Sequence, residues 1–254
     1  MITSDTPNAS GAPSQTQPTR APVAQPSRRY RIIFGVALTV VTLAALIVAY
    51  ASSDFQQSGS SAIPATWKQV YSHDLTSVND GAWQQTEACR LDALGLDATG
   101  SNTSDTLCVF QPSVQSSVTS AGFYFETTLA PAAKIPAFVR SIVSVGDVAG
   151  PDAPSAAIHF IVGQDGSYTL CENDCSPSGG IYQRGGLAAW HGNALIANTI
   201  AMKVSPDHST LTVYVNGQEV ASVNPQLGAQ PAIAVGALAG SEAIFTHATL
   251  YTGD

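Results

Sequence analysis

Apolar and polar residues alternate one by one along much of the chain after Trp67. Successive side chains of a β-strand point to opposite faces of its sheet, so this pattern predicts strands with one face in a core and the other in solvent. In one such segment Phe123, Phe125 and Leu129 share a face. The opposite face carries Tyr124, Glu126 and Thr128. Residues 65–254 show no stripe of apolar residues at helical spacing, so this segment is predicted to be all-β.

Turn sequences separate the alternating segments. Asn216-Gly217 lies between Leu211–Val215 and Gln218–Val223, and it predicts a tight hairpin because both residues tolerate the positive φ of a type I′ turn. A second hairpin is predicted at the turn 163–166. Roughly a dozen such strands at short, regular spacing predict a two-sheet antiparallel β-sandwich or jelly roll.

The last predicted strand covers residues 243–251. Strict alternation along it puts Ile244 and Leu250 on one face and Phe245 and Tyr251 on the other. We therefore expect the ring of Phe245 to lie on the face opposite to Leu250.

Charge is divided unevenly along the chain. Before residue 52 there are four arginines and one acidic residue, and after it there are six basic and seventeen acidic residues. Binding to nucleic acid needs Lys and Arg side chains that displace counterions from phosphates, so the acidic C-terminal part argues against a nucleic-acid partner. It argues equally against adhesion to anionic lipid.

An uncharged apolar run of twenty residues, 32–51, follows Arg28, Arg29 and Arg31. This length crosses about 30 Å of hydrocarbon as a helix, so a transmembrane helix is predicted at residues 30–52. The next basic residue is Lys68. The positive-inside rule therefore predicts a cell-membrane protein with a cytoplasmic N-terminus and an extracytoplasmic C-terminal domain.

Two other interpretations of this run remain open. The sequence 49–51, Ala-Tyr-Ala, fits a cleavage site, so the run is also consistent with a removed signal peptide. The sequence 27–29, Ser-Arg-Arg, weakly resembles a twin-arginine export signal. All three interpretations export the C-terminal domain, and they differ in whether it stays attached to the lipid bilayer.

The flanking segments complete the predicted organisation. Residues 1–29 contain five prolines and few large apolar residues, so they are predicted to be a disordered cytoplasmic tail. Residues 53–64 are predicted to form a flexible stalk. The folded domain is then expected at residues 65–254.

Four cysteines lie in the exported part of the chain, where disulfides persist. Four cysteines allow three pairings, and the simplest joins Cys89 to Cys108 and Cys171 to Cys175. The first bond would stabilise the fold by roughly 3 kcal/mol through a smaller unfolded ensemble. A zinc site is the alternative, but the chain has no C-x-x-C motif and no histidine at ligand spacing, so no metal is expected.

The chain resembles concanavalin A-like (laminin G-like) jelly-roll domains, which exported bacterial membrane-anchored proteins often carry. The closing segments that carry the resemblance are LTVYVNGQEVASV at 211–223, IAVGAL at 233–238 and EAIFTHATLY at 242–251. The opening segments YSHDLT at 71–76 and GAW at 81–83, followed by Cys89 and Cys108, fit the start of the domain. The resemblance implies the fold but no ligand, because this fold includes lectins, glycosidases and inert spacers.

Catalytic motifs were sought and none was found. Hydrolases of the resembled superfamily carry carboxylates at alternate positions of a strand, and the nearest match here is Glu172-Asn173-Asp174, which lacks the third carboxylate. The chain contains no G-x-S-x-G, no phosphate-binding glycine loop and no H-E-x-x-H. The protein is therefore expected not to be an enzyme and to need no cofactor.

One stretch, 168–193, combines aromatic rings with hydrogen-bonding side chains among glycines, as sugar-binding sites do. The alternative is that its aromatic residues belong to the core around a loop. The candidate ligand-binding residues are Tyr168, Tyr182, Arg184, Trp190, His191 and Asn193. Asp147 and Asp152 lie in a loop rich in Gly and Pro, but two carboxylates are too few to favour a calcium site.

The leading functional hypothesis is a membrane-anchored, extracytoplasmic binding module for a glycan or cell-wall polymer. The alternative is a structural or sensor ectodomain that acts with a membrane protein partner. A glycoside hydrolase is the third hypothesis, and it would need two carboxylates about 5–10 Å apart in a cleft.

Overall fold

The computed structural model describes residues 63–77, 80–111, 121–146, 157–173, 175, 180–228 and 231–253. These residues form antiparallel β-strands and a short 3-10 helix, Ala132–Lys134. The strands are β1 (Lys68–Asp74), β2 (Cys89–Asp92), β3 (Gly95–Thr99), β4 (Thr106–Phe110), β5 (Phe123–Leu129), β6 (Arg140–Gly146), β7 (Ala157–Gly163), β8 (Ser167–Glu172), β9 (Ile181–Gly186), β10 (Asn198–Val204), β11 (Leu211–Val215), β12 (Gln218–Val223), β13 (Ala232–Ala237) and β14 (Glu242–Thr252).

The strands form two antiparallel sheets, as the alternation predicts. The larger sheet has eight strands in the order β12-β11-β10-β5-β14-β3-β2, with β1 also paired to β14. The long strand β14 has room for two neighbours on one side, because β3 pairs with its first half and β1 with its second half. The smaller sheet has six strands in the order β4-β13-β6-β7-β8-β9. The all-β sandwich is therefore confirmed.

The core consists of side chains from both sheets. On β5, Phe123, Phe125 and Leu129 are buried, and Phe160 of β7 in the other sheet belongs to the same apolar cluster. The shared face predicted for β5 is therefore confirmed. Tyr124 points away from this core and is nevertheless fully buried, because a second apolar cluster covers the outer face of the larger sheet.

The predicted hairpin at Asn216-Gly217 joins β11 to β12 and is confirmed. Both turn residues have positive φ, 49° at Asn216 and 76° at Gly217, which matches the requirement of the type I′ turn. The Asn216 carboxamide also accepts a hydrogen bond from the backbone N–H of Thr199 at 2.8 Å and donates one to the carbonyl oxygen of Ala189 at 2.6 Å. This hairpin therefore also fastens the loop that precedes β10.

The prediction for the last strand is wrong at its first half. The pairing of β14 with β5 shifts register between Phe245 and His247, and a bulge of this kind changes which face the following side chains occupy. As a result Phe245 is fully buried in the same cluster as Ala248 and Leu250.

All four cysteines are paired locally, as expected. The Cys89–Cys108 disulfide joins β2 of the larger sheet to β4 of the smaller one, with a Cα–Cα distance of 5.6 Å. The Cys171–Cys175 disulfide closes a short loop at the end of β8, with a Cα–Cα distance of 5.1 Å. The first bond links the two layers, and the second shapes a loop on the smaller sheet.

Among the residues that the structure describes, no helix is long and apolar enough to span a membrane. The predicted tail (1–29), the predicted membrane helix (30–52, with its apolar run at 32–51) and residues 53–62 of the predicted stalk lie outside the described residues. Asp147 and Asp152 lie outside them as well.

Candidate functional site: a groove on the smaller sheet

A groove of about 920 Å³ crosses the outer face of the smaller sheet. The alternation of the strands creates it: Phe160 and Leu170 point into the core, and His159, Ile161 and Thr169 therefore point outward. The groove is lined by residues of β6, β7, β8 and β9 and by the segments next to β4 and β13. Several strands thus supply one continuous surface rather than a loop-borne pocket.

The floor of the groove is aliphatic. Ile142 and Ile161 form an apolar cluster with Cys171, which lies on β8 and is bonded to Cys175. Leu107 and Leu238 pack against this cluster from the β4 side of the sheet and line the same groove. Ile142 and Ile161 are buried, whereas Leu107 and Leu238 are partly exposed, so these two leucines supply the apolar surface from which a ligand can displace water.

A histidine and a serine lie beside this floor. The Ser144 hydroxyl and Nδ1 of His159 are 2.7 Å apart, within hydrogen-bond distance across the β6–β7 pair. Burial lowers the pKa of His159, and the charge of Asp105 and a hydrogen bond to the backbone of Asn173 oppose this effect. The imidazole is therefore neutral at pH 7.

A disulfide-closed turn forms one wall of the groove. Asn173 and Cys175, which both line the groove, have left-handed backbone conformations with φ of 56° and 54°. The backbone N–H of Asn173 donates to the carbonyl oxygen of Ala157 at 2.8 Å, and the Asn173 side chain accepts from the N–H of Ala157 at 3.3 Å. The disulfide and these two hydrogen bonds fix the wall against the start of β7.

Among the described lining residues, three side chains carry a charge, and two of them are positive. Arg140 at the start of β6 and Arg184 on β9 are exposed. Asp105 is the one carboxylate among the described lining residues, and it accepts a hydrogen bond from the backbone N–H of Ala239 at 2.8 Å.

The structure brings two of the six predicted ligand-binding residues to this groove. Arg184 lines it with an exposed side chain. Tyr168 also lines it, but only by an edge, because its ring is buried and lies 5.6 Å from the ring of Phe160 in the core. Tyr182 is not among the lining residues, and its hydroxyl donates to Glu172 at 3.0 Å. Burial and this hydrogen bond raise the pKa of Tyr182 to about 12.

The other three predicted residues lie around a separate cavity of about 30 Å³, which has room for little more than one water molecule. Trp190 donates from Nε1 to the carbonyl oxygen of Gln164 at 3.1 Å. Nδ1 of His191 lies 3.1 Å from the carbonyl oxygen of Ala197, and the side chain of Asn193 accepts from a backbone N–H at 3.0 Å. These contacts hold the 187–198 loop in place, so the 168–193 stretch does not form one site.

Several residues of the groove were not predicted as ligand-binding residues. They are Arg140, His159, Ile161 and Thr169, together with the aliphatic residues of the floor. The available signal was the alternation on both sides of the 163–166 turn, since it fixes which side chains leave the core. The aromatic residues of 168–193 are a more conspicuous feature of the sequence than this alternation.

The arrangement of carboxylates bears on the chemistry of the groove. Sugar hydrolysis uses two carboxyl groups that flank the scissile bond, whereas Asp105 is alone among the described lining residues. Glu172 accepts the hydrogen bond of Tyr182 outside the groove, and Asp174 lies outside the described residues. No three His, Cys, Asp or Glu side chains of the described residues are grouped to hold a metal ion.

Neither a protein-family model nor a curated protein matches the sequence. Solved structures do match: the carbohydrate recognition domain of Emp46p in its potassium-bound form superposes with a TM-score of 0.53 and 14% identity, over 74% of this chain and 99% of that one. The metal-free form of the same domain gives a TM-score of 0.52 and 13% identity over the same shares of both chains. The fold is a concanavalin A-like jelly roll.

Other jelly rolls match over shorter parts of this chain. Sheep galectin-11 in complex with glycerol has a TM-score of 0.39 and 12% identity, over 58% of this chain and 97% of that one. At 13–14% identity, the superposition with the Emp46p domain establishes the fold and not a ligand.

Proposed function

We propose that this protein is a membrane-anchored, extracytoplasmic binding module that holds a carbohydrate or cell-wall polymer in the groove of the smaller sheet, without catalysis. The observation that carries the proposal is the groove itself, an open channel of about 920 Å³ on paired strands. Its aliphatic floor can cover the apolar face of a sugar ring, and its polar rim can bind hydroxyl groups.

The Emp46p domain supports this proposal by analogy. It is named as a carbohydrate recognition domain, and it overlaps with nearly three quarters of this chain. Because the same fold also serves enzymes and spacers, the analogy adds to the geometry of the groove and does not replace it.

The proposed lack of catalysis is supported by the side chains of the groove. Asp105 has no second carboxylate beside it among the described lining residues, and its acceptor atom is already bonded to a backbone N–H. Neutral His159 has a hydroxyl group as its partner and not a carboxylate. A hydrolytic pair or a carboxylate-oriented base is therefore not assembled from these residues.

The proposed location is supported by the sequence before the jelly roll. The apolar run 32–51 is long enough to span a bilayer, and arginines precede it. Two disulfides fit an oxidising compartment outside the cytoplasm.

A second candidate function is recognition of a protein partner, such as another membrane protein. The aliphatic character of the floor favours it, because protein interfaces also bury such surfaces. Val139 at the rim of the groove is an exposed aliphatic side chain as well, with 54% of its surface accessible.

The test is a screen of the full-length protein in detergent against arrays of glycans and cell-wall polymers. Thr169, which is half-buried in the groove, is replaced in the variant Thr169→Trp so that the indole fills the channel. The matched control is Thr212→Trp, because Thr212 faces outward on β11 of the other sheet. We expect Thr169→Trp to abolish binding and the control to bind like the wild type. If the folded protein binds no glycan, the carbohydrate-binding proposal is wrong and recognition of a protein partner becomes the leading function.

A further inference from the structure

The basic residues of the jelly roll are few and unevenly placed. After residue 52 the chain has six basic and seventeen acidic side chains. Two of the six, Arg140 and Arg184, line the same groove, where a single carboxylate accompanies them among the described lining residues. The groove is therefore a local exception on an acidic domain.

The two arginines of the groove are also without ion-pair partners among the described residues. No carboxylate of the described part of the chain lies within salt-bridge distance of either guanidinium. Two of the other basic groups have a neighbour that attracts them: Nζ of Lys203 lies 5.7 Å from the centre of the Trp67 ring, and Arg90 faces Asp97 across the β2–β3 pair.

A negative charge that interacts with Arg140 is already engaged in hydrogen bonds. Asp165, in the β7–β8 turn, accepts hydrogen bonds from the backbone N–H of Ser167 at 2.9 Å and from its hydroxyl at 2.6 Å. These bonds lower the pKa of Asp165 more than Arg140 does. Arg140 is thus only weakly compensated within the domain.

The register of the sheet fixes the spacing of the two arginines. Arg140 pairs with Gly163 on β7, whereas Arg184 pairs with Thr169 on β8. Their strands, β6 and β9, are three strand spacings apart, which is about 14 Å. Ile161 of the floor and Thr169 lie on the two strands between them, so an oligosaccharide that crosses these strands can place one anionic group beside each arginine.

We propose that the groove selects acidic oligosaccharides, whose carboxylate, sulfate or phosphate groups are bound by Arg140 and Arg184 at two separate positions along the sugar chain. This inference rests on the proposed function, and it specifies its ligand class. The planar guanidinium group suits this role because it forms paired hydrogen bonds to oxyanions. The aliphatic floor covers the sugar ring that lies between the two anionic groups. An anion without an apolar face gains nothing from this contact and should bind more weakly.

The proposal is tested by calorimetric titration of the full-length protein with oligogalacturonate and with the same oligomer as its methyl ester. The two probes share a backbone, and the ester replaces each carboxylate by a neutral group with one added methyl. Dextran sulfate and dextran phosphate, each compared with dextran, serve as the sulfate and phosphate arms. We expect an anionic probe to bind, its neutral counterpart to bind about tenfold more weakly or not at all, and added salt to weaken binding.

Substitutions then locate the anion contacts. Arg140→Gln and Arg184→Gln should each weaken binding of the anionic probe by about tenfold, whereas the matched control Arg90→Gln, on the other sheet, should leave it unchanged. All three residues are exposed, so near-ultraviolet circular dichroism should show folded proteins.

Three outcomes would overturn the inference. Equal binding of the neutral and anionic probes would do so while leaving glycan recognition by the groove intact. Equal losses for Arg90→Gln and the groove variants would show that only net charge matters. Polyglutamate binding as tightly as the saccharides, through the same arginines, would replace the saccharide by an acidic peptide and overturn the proposed function too.

Discussion

The outer face of the larger sheet is covered by the chain itself, whereas the outer face of the smaller sheet is open along the groove. On the larger sheet, Tyr124 is packed against Tyr214 and Tyr251, each with a ring-centroid distance of 6.1 Å, and residues Ile63 and Trp67 join the same cluster. The groove on the smaller sheet instead has an aliphatic floor and two arginines that form no salt bridge with the described residues.

This difference shows that outward aromatic residues on a jelly roll do not by themselves indicate a ligand site. The outward rings of Tyr124, Tyr214 and Tyr251 on the larger sheet pack against one another and against Trp67. The surface left for a ligand is the one where alternation turns Thr169 and Arg184 outward.

The largest effect is expected from a substitution that breaks the covered face. Replacing Tyr124 by Ala should lower the free energy of unfolding by about 3–5 kcal/mol, because the ring is as buried as any core residue although it points outward. Equilibrium denaturation would measure this loss. Tyr124→Phe is the control and should lose at most about 1 kcal/mol, since it removes only the 2.8 Å hydrogen bond to Glu126.

The same measurement on the open face sharpens the comparison. Thr169→Ala should change the free energy of unfolding by less than about 0.5 kcal/mol, since a partly exposed side chain in a groove contributes little to the core. A loss at Thr169 as large as that at Tyr124 would mean that the groove is part of the core and not a free surface.

An effect smaller than that of Tyr124→Ala is expected from removal of either disulfide, and the two disulfides lie at different places in the fold. Removing Cys89–Cys108 by paired Ala substitutions should cost about 3 kcal/mol of unfolding free energy and leave ligand binding unchanged, because the bond joins the two sheets away from the groove. Removing Cys171–Cys175 should cost about 2 kcal/mol, since its loop is shorter. Only this second change should weaken binding, because Cys175 forms part of the groove wall.

The smallest expected effect is a pH dependence of the unfolding free energy that is caused by His159 of the groove. Burial lowers the pKa of His159 in the folded protein, so the unfolded chain binds a proton more readily. The contribution of His159 to the free energy of unfolding is fully present above about pH 6.5, the pKa of histidine in the unfolded chain. It is lost as the pH falls from there to the lower pKa of the folded state. The difference in unfolding free energy between wild type and His159→Gln should therefore decrease on acidification over this range. A difference that is independent of pH would contradict the assignment.

The local part of the fold was predictable from the sequence. The Asn216-Gly217 turn and the alternation around Phe123 and Phe125 depend on neighbours in the chain, and both are found as predicted. The bulge at Phe245 was not predictable, because it arises where β14 is shared by three partner strands.

The groove was only partly predictable for the same reason. Ile142 and Ile161 face each other across the β6–β7 pair, whereas Leu107 of β4 reaches them only through the pairing of β13 with β4 and β6. Arg184 was singled out, but its counterpart Arg140 lies more than forty residues earlier. Trp190 was singled out for its aromatic ring, and no feature of the sequence distinguishes a ring that holds a loop from a ring that contacts a sugar.

The position of Trp67 has a consequence for how such a domain can be joined to other proteins. Its ring lies against Gly253, close enough that an added Cβ there would be 3.0 Å from Nε1, and Lys68 pairs with Thr252. The two ends of the jelly roll therefore meet at one spot on the sheet opposite to the groove. A unit whose ends meet can be inserted between two segments of another chain, or displayed on a tether, without a partner sequence crossing the binding surface.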